Sequence, residues 1–186
     1  MKTISAWPRD DRVIARAIAI LERRLRLREP ETRYQLGDPD AVHLYVRLKL
    51  AELEREVFAC IFVDAQHRPI AFEELFRGTL TQVVVHPREI ARAALRHNAA
   101  AVILVHNHPS SNARFSDGDR AITAKIRHAL ELIDVKVLDH LLVARAHAVS
   151  YAREEAMTAR ADGERRARQA AAMKASWQRR RLGRGK

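Results

Sequence analysis

The chain has 186 residues, one cysteine and a formal net charge of +11. That length is enough for one ordinary domain with a buried core and some extensions. The single cysteine, Cys60, excludes an intrachain disulfide and a thiolate zinc site of the CxxC type. The longest uncharged apolar run, residues 99–105, is far shorter than the ~20 residues of a membrane-spanning helix, and the first residues lack the apolar stretch of a secretory signal. We therefore expect a cytoplasmic protein that does not insert into a membrane.

The positive charge is concentrated near the carboxyl end of the chain. Residues 160–186 contain ten Lys/Arg and two Asp/Glu, so that this segment carries +8 and the other 159 residues carry only +3. The segment is rich in alanine and has few large apolar side chains. We expect it to be helical for part of its length and either to fray or to dock on a partner.

The predicted elements indicate three regions. Residues 1–52 contain two helices, the first of them amphipathic, residues 53–152 form a mixed α/β domain, and residues 153–186 form the basic, Ala/Arg-rich tail. In the middle region, three strands are predicted at 56–64, 70–78 and 80–85, then a helix from Pro87, a short buried strand ending in HNH, a helix from Ser116, and two or three short strands before residue 151. Hairpin-like and crossover connections occur together, which favours an α/β (α+β) fold with a mixed β-sheet flanked by helices.

Two histidines end the short buried strand. Residues i and i+2 of a strand point to the same face, so His106 and His108 project together and Asn107 points away. Asp119 follows in the first turn of the next helix, where it can face back toward the histidines. Two imidazoles and one carboxylate, with a fourth position left for water, form a hydrolytic zinc arrangement.

An ordinary structural interpretation stands beside this one. The pattern Ser116-x-x-Asp119 before an amphipathic run is also a capping box, in which the serine and the carboxylate satisfy backbone N–H groups at the start of a helix. HxH alone is a weak signal. The joint pattern, with HxHP and SxxD placed on a strand, a loop and a helix, is more specific and favours a metal site.

This pattern, HxHx7SxxD, resembles the signature of the JAMM (MPN+/JAB) metalloprotease family. The surrounding segments LFRGTL, VHPREI, NAAAVILVHNHPS and VLDHLLV resemble its bacterial RadC branch. The resemblance covers roughly residues 50–153. It implies a JAB/MPN-like mixed sheet, one Zn²⁺ per chain held by His106, His108 and Asp119, and a Ser116 that donates a hydrogen bond to the developing oxyanion.

The family also uses a glutamate on an upstream strand as general base and then acid, and the matching position is Glu56. This role needs a carboxylate within reach of the water that attacks the substrate. Glu54, Glu73 and Glu74 remain rivals from the residues alone, and Glu56 could be an ordinary solvated glutamate at the start of a strand. The resemblance favours Glu56 because it directly precedes the apolar strand.

Two residues depart from the branch's usual pattern. Ser111 stands where glycine is usual, and Phe115 stands where proline is usual before the signature serine. These departures suggest a metal loop of altered shape. The N-terminal region also looks too short for the helix-hairpin-helix module of full-length RadC proteins, so the chain resembles the short forms found near mobile elements. We further consider His140 and Asn107 as residues that support the metal ligands through hydrogen bonds, although the position of His140 beside Asp139 favours an ordinary structural histidine.

The resemblance implies a zinc-dependent peptidase or isopeptidase in which metal-activated water attacks a carbonyl; it does not identify the peptide or protein substrate. The alternative is a DNA-associated accessory protein, acting in DNA repair or with mobile elements, whose metal site is auxiliary. In this alternative the tail binds nucleic acid without sequence preference, with Arg179, Arg180 and Arg181 as candidate contacts. The tail could equally be a solubilising or partner-docking extension. A homodimer is also considered.

Overall fold

The computed structural model describes residues 8–25, 39–79, 83–110, 112–145 and 147–182, with side chains in the last helix described to residue 171 and at Met173. The elements in chain order are α1 (Arg9–Leu25), α2 (Pro39–Leu50), β1 (Val57–Val63), β2 (Pro69–Arg77), α3 (Pro87–Arg96), β3 (Ala101–Asn107), α4 (Asp117–Glu131), β4 (Lys136–Ala144), β5 (His147–Ser150) and α5 (Tyr151–Leu182). The chain divides into two compact units, Met1–Tyr151 and Ala152–Lys186. None of the helices in the described ranges is both long and apolar enough to cross a membrane.

Within the described residues, the strands form one mixed sheet in the order β2-β1-β3-β4-β5. Strand β1 pairs antiparallel with β2 and with β3, whereas β3 and β4 are parallel and β5 returns antiparallel to β4. The parallel pair is joined through α4, as a crossover connection requires. The predicted α/β fold with a mixed sheet flanked by helices is therefore confirmed.

The sheet has an apolar layer on each face. Alternate residues of β1, β3 and β4 pack with α1 and α2 on one face, and the intervening residues of β1 and β3 pack with α3 and α4 on the other. Strands β1 and β3 are buried on both faces along their whole length. This explains why their sequences are continuous apolar runs without alternation.

The predicted third strand at residues 80–85 is wrong where the structure describes it. Residues 80–82 lie outside the described residues, and residues 83–85 form an irregular connection from β2 to α3. Val83 and Val85 pack on the α3/α4 side of the sheet, whereas Val84 is exposed. The alternating pattern thus reflects one-sided burial of this connection.

A tight turn joins β1 to β2. Asp64 accepts backbone hydrogen bonds from Gln66 and Arg68, both at 2.9 Å, and His67 has a φ of 58°.

Near the other end of the chain, α5 continues as a helix to Leu182. The structure does not describe the side chains of Arg179, Arg180 and Arg181. Ser111 also lies outside the described residues.

Candidate metal centre

The two histidines lie where β3 ends, on the face of the sheet that α4 covers. His106 pairs with Phe58 across the β1–β3 register, and both side chains point to the α4 side. His106 is 2 % exposed, whereas His108 lies just beyond the strand and is partly exposed. The buried strand therefore positions one imidazole rigidly and brings the second to the mouth of a cleft.

The third residue comes from the first turn of α4. The Nε2 atoms of His106 and His108 are 3.1 Å apart. Asp119 Oδ1 lies 3.3 Å from His106 Nε2, and Asp119 Oδ2 lies 3.5 Å from His108 Nε2. Among the described residues, these three form the group of metal-ligating side chains whose donor atoms all lie within 4.8 Å of one another.

These separations suit a small tetrahedral cation. Ligand atoms around a tetrahedral zinc ion with ~2.0–2.1 Å bonds lie about 3.3 Å apart, and the observed separations of 3.1 to 3.5 Å bracket that value. Two imidazole nitrogens and one carboxylate are also a donor set typical of catalytic zinc. The three residues could therefore hold a metal ion.

The tautomer of His108 leaves Nε2 available. Its Nδ1 lies 3.0 Å from the backbone carbonyl of Asn112. A carbonyl oxygen can only accept, so the proton of this bond is on Nδ1 and the lone pair of a neutral ring is on Nε2. That lone pair faces the cluster.

Asp119 belongs to a capping box as well as to the metal cluster. Its Oδ2 accepts from the backbone N–H of Ser116 at 2.8 Å and from the Ser116 hydroxyl at 2.6 Å, while the Asp119 N–H donates to Ser116 Oγ at 3.1 Å. Oδ1 faces His106. The two interpretations of SxxD are therefore compatible, because Oδ2 serves the cap and still lies 3.5 Å from His108 Nε2, while Oδ1 faces His106.

The pKa values show how strongly the three side chains interact. Burial acts to raise the pKa of Asp119, but hydrogen bonds from His106 and His108 outweigh it and hold that pKa well below its usual range. The hydrogen bond with Asp119 raises the pKa of His108, against the opposing effect of partial burial. A proton and a metal ion thus compete for the same lone pairs.

Glu56 lies directly before β1, on the same side of the sheet as the histidines. If the antiparallel pairing of Phe58 with His106 is continued by two residues, past the ends of both strands, Glu56 falls opposite His108. Its negative charge contributes to the raised pKa of His108, and its side chain lines the same cleft. The structure therefore brings Glu56 together with the three candidate ligands.

The rival glutamates lie elsewhere. Glu73 accepts from Arg96 at 2.5 Å, contacts His97 at 2.7 Å, and pairs with Cys60 in the middle of β1. Glu74 bonds Arg77 at 2.8 Å and pairs with Ala59, whose side chain is on the other face of the sheet. Glu54 is exposed before the strand and does not line the cleft.

Asn107 points away from the metal cluster, as strand geometry predicts. Its Oδ1 accepts from the Val57 N–H at 2.7 Å, and its Nδ2 donates to the carbonyls of Arg55 at 3.1 Å and Leu53 at 3.4 Å. It therefore holds the backbone on both sides of Glu56. Its contacts are with the segment that carries the glutamate and not with the histidines.

Sequence reasoning missed Thr123, and it noted Phe115 as a departure in the metal loop without predicting its contacts with the histidines. Thr123 is buried on α4 and bonds His140, which in turn bonds His106. Phe115 is 5 % exposed, with its ring centre 5.2 Å from that of His140 and 5.8 Å from that of His106. Its position directly before the signature serine was the available signal. An aromatic residue stands there instead of the usual proline, and its ring packs against His140 and His106.

The cluster opens into a cleft of about 570 Å³. Its walls combine the polar cluster with apolar side chains, and the residues that line it are Glu56, Phe58, Val83, Val85, His106, His108, Ser110, Asn112, Ser116, Gly118, Asp119 and Ile122. The cleft is large enough for several atoms of an extended chain next to the histidines.

In a comparison with known protein families, residues 36–157 match a family model described as the RadC-like JAB domain. The chain is 49% identical to a UPF0758 protein of Thiobacillus denitrificans over 139 residues, which cover 75% of this chain and 62% of the relative. It is 51% identical to a UPF0758 protein of Cupriavidus pinatubonensis over 136 residues, 73% of this chain and 60% of that relative. The chain thus spans about three fifths of the length of these curated relatives.

Proposed function

Because the chain belongs to the RadC-like JAB domain family, we propose that it is a zinc-dependent hydrolase of the JAMM type that cleaves peptide or isopeptide bonds. The observation that carries the proposal is the convergence of His106 Nε2, His108 Nε2 and the Asp119 carboxylate at 3.1 to 3.5 Å. When bound there, zinc would supply Lewis acidity, which acidifies water and polarises a carbonyl.

Glu56 is the proposed general base and acid. Its place in the cleft wall with His108 supports this role, because a proton acceptor must lie beside the reacting atoms. In the proposed reaction the carboxylate takes a proton from the attacking water and delivers it to the leaving amine. Backbone bonds hold Glu56 on both sides: its N–H donates to Thr79 at 3.0 Å, and its carbonyl accepts from Gly78 at 2.8 Å.

Ser116 is the proposed donor to the oxyanion. Its hydroxyl donates to Asp119 Oδ2 in the structure, and the Ser116 backbone N–H donates to the same oxygen. The hydroxyl can therefore turn toward a substrate oxygen in the cleft while the N–H keeps the carboxylate in place. A preorganised donor of this kind stabilises negative charge that develops in the transition state.

The test compares Glu56→Gln with Glu54→Gln, a matched change at an exposed glutamate two residues away. Each zinc-loaded protein is incubated with a mixed library of peptides, and new N-termini are identified by mass spectrometry. The proposal expects cleavage by wild type and by Glu54→Gln, and a loss of ~10²–10⁴-fold in Glu56→Gln with zinc content unchanged. Equal cleavage by wild type and Glu56→Gln would contradict the assigned role.

The charge of the tail supports a second candidate function. Residues 160–186 carry ten Lys/Arg against two Asp/Glu, and such a segment binds phosphate backbones with an affinity that falls steeply with salt. In this proposal the chain is a DNA-associated accessory protein, and Arg179, Arg180 and Arg181 contribute phosphate contacts. Hydrolysis that depends on Glu56 would favour the first candidate, whereas nucleic-acid binding that depends on the tail would favour the second.

A further inference from the structure

A buried line of polar groups lies directly behind His106. His106 Nδ1 is 2.8 Å from His140 Nε2, and His140 Nδ1 is 2.6 Å from Thr123 Oγ1. Both His140 and Thr123 are 0 % exposed. The line joins β3, β4 and α4, and it ends at the Asp119 carbonyl, which accepts from the Thr123 hydroxyl at 2.5 Å.

The far end of this line determines where its protons are. A carbonyl oxygen only accepts, so the single hydroxyl proton of Thr123 points to Asp119. Thr123 Oγ1 must then accept from His140, which places a proton on His140 Nδ1. In a neutral ring, His140 Nε2 is left as an acceptor.

The position of the proton between His140 and His106 follows from this. With His140 Nε2 accepting, the 2.8 Å bond to His106 needs a proton on His106 Nδ1. The opposite direction would require a positively charged His140, which is costly in a site with no exposed surface that is walled by the rings of Phe58 and Phe115. It would also make His106 Nδ1 an acceptor and move the proton of a neutral His106 to Nε2.

We propose that His140 and Thr123 are positioning residues that keep a proton on His106 Nδ1, so that Nε2 is the atom presented to the metal. This inference rests on the proposed function, since it assigns how the same site is prepared for zinc. The line also connects two of the candidate ligands, His106 and Asp119. Thr123 bonds the backbone of Asp119, and it bonds His140, which bonds His106. Partners of this kind set the tautomer and orientation of a metal-binding histidine.

The experiment uses the full chain and a matched pair of variants at one position. Thr123→Val keeps the shape of the side chain and removes the hydroxyl, whereas Thr123→Ser keeps the hydroxyl. Zinc affinity is measured by competition with a chromophoric chelator, and the protonation of each imidazole nitrogen is read by ¹⁵N NMR of the metal-free protein. Thermal unfolding of each variant checks that it is folded.

The expected result is a proton on Nδ1 of both His106 and His140 in the metal-free wild type. Zinc affinity should fall about 10–100-fold in Thr123→Val and stay near the wild-type value in Thr123→Ser. His140→Gln gives a second measurement, because its amide oxygen can still accept from His106 and should preserve more affinity than His140→Leu.

The outcomes that contradict this inference differ from those that contradict the proposed function. An unprotonated His106 Nδ1 in the wild type, or full zinc affinity in Thr123→Val, would overturn the positioning role and leave the metal site standing. A wild-type protein that binds no zinc would instead overturn the proposed function. The protonation of His106 Nδ1 would then decide whether the hydrogen-bonded line runs in the assigned direction.

Discussion

The side-chain oxygen of Asn107 accepts a 2.7 Å hydrogen bond from the backbone N–H of Val57, although the two residues are 50 positions apart in the chain. The amide of Asn107 also donates to the Arg55 carbonyl at 3.1 Å. Glu56 lies between these two anchored residues. One buried amide at the end of β3 thus holds the segment that carries the proposed base, while its neighbours His106 and His108 face the metal cluster.

Replacing Asn107 should therefore disturb Glu56 and leave the ligands in place. Asn107→Ala leaves backbone groups of Val57 and Arg55 without their partner, and we expect a loss of ~1–3 kcal/mol in the free energy of unfolding. Urea unfolding measures this loss, zinc content should stay unchanged, and peptide cleavage should fall. An unfolding midpoint and a cleavage rate equal to those of wild type would contradict the anchoring role.

Ser116 offers a way to separate helix capping from the chemistry. Ser116→Gly removes the hydroxyl but should cost only a few tenths of a kcal/mol, because glycine is tolerated at the N-cap position. We expect this variant to be folded and to bind zinc through the intact ligands, with cleavage reduced ~10²–10³-fold.

The control for this prediction is Ser116→Thr, which keeps both the cap and the hydroxyl. It should retain most of the cleavage activity. If Ser116→Gly cleaves peptides as fast as Ser116→Thr does, the serine serves the helix alone.

Cys60 should be chemically silent in the folded protein. Burial raises the pKa of its thiol far above the usual range, and the negative charge of Glu73 adds to the effect. The thiolate is the reactive form, so a thiol reagent such as dithionitrobenzoate should label the chain only after denaturation. Rapid labelling of the native protein would show that β1 opens readily.

Nucleic-acid binding by the tail makes a quantitative prediction. If Arg179, Arg180 and Arg181 each neutralise one phosphate, changing all three to glutamine should reduce the slope of log K against log salt by about 3. Electrophoretic mobility shifts at several salt concentrations measure the slope, and deletion of residues 160–186 is the limiting case. An unchanged slope in both variants would remove nucleic acid as a partner of this segment.

The candidate ligands could be identified from the sequence because each depends on local geometry. Strand periodicity places His106 and His108 on one face, and the first turn of a helix places Asp119 opposite them. The capping box and the metal site turned out to be compatible interpretations of the SxxD pattern. The two carboxylate oxygens of Asp119 have different partners, Ser116 for Oδ2 and His106 for Oδ1.

The partners behind the ligands could not be predicted in the same way. The contact of His140 with His106 depends on β4 lying parallel to β3, and its contact with Thr123 depends on how α4 packs over the sheet. Neither arrangement has a local sequence pattern. For a similar reason residues 83–85 resembled a strand: their alternation records burial on one side and contains no information about hydrogen-bond partners.

The measurement that tests the central claim most directly is metal content per chain by elemental analysis. Wild type, His108→Ala and His128→Ala, a change at a histidine outside the cluster, are purified without a histidine tag or added zinc. The account predicts close to one zinc per chain in wild type and His128→Ala, and little in His108→Ala, because two ligands remain where three are needed. No stoichiometric metal in wild type, or equal metal in wild type and His108→Ala, would contradict it.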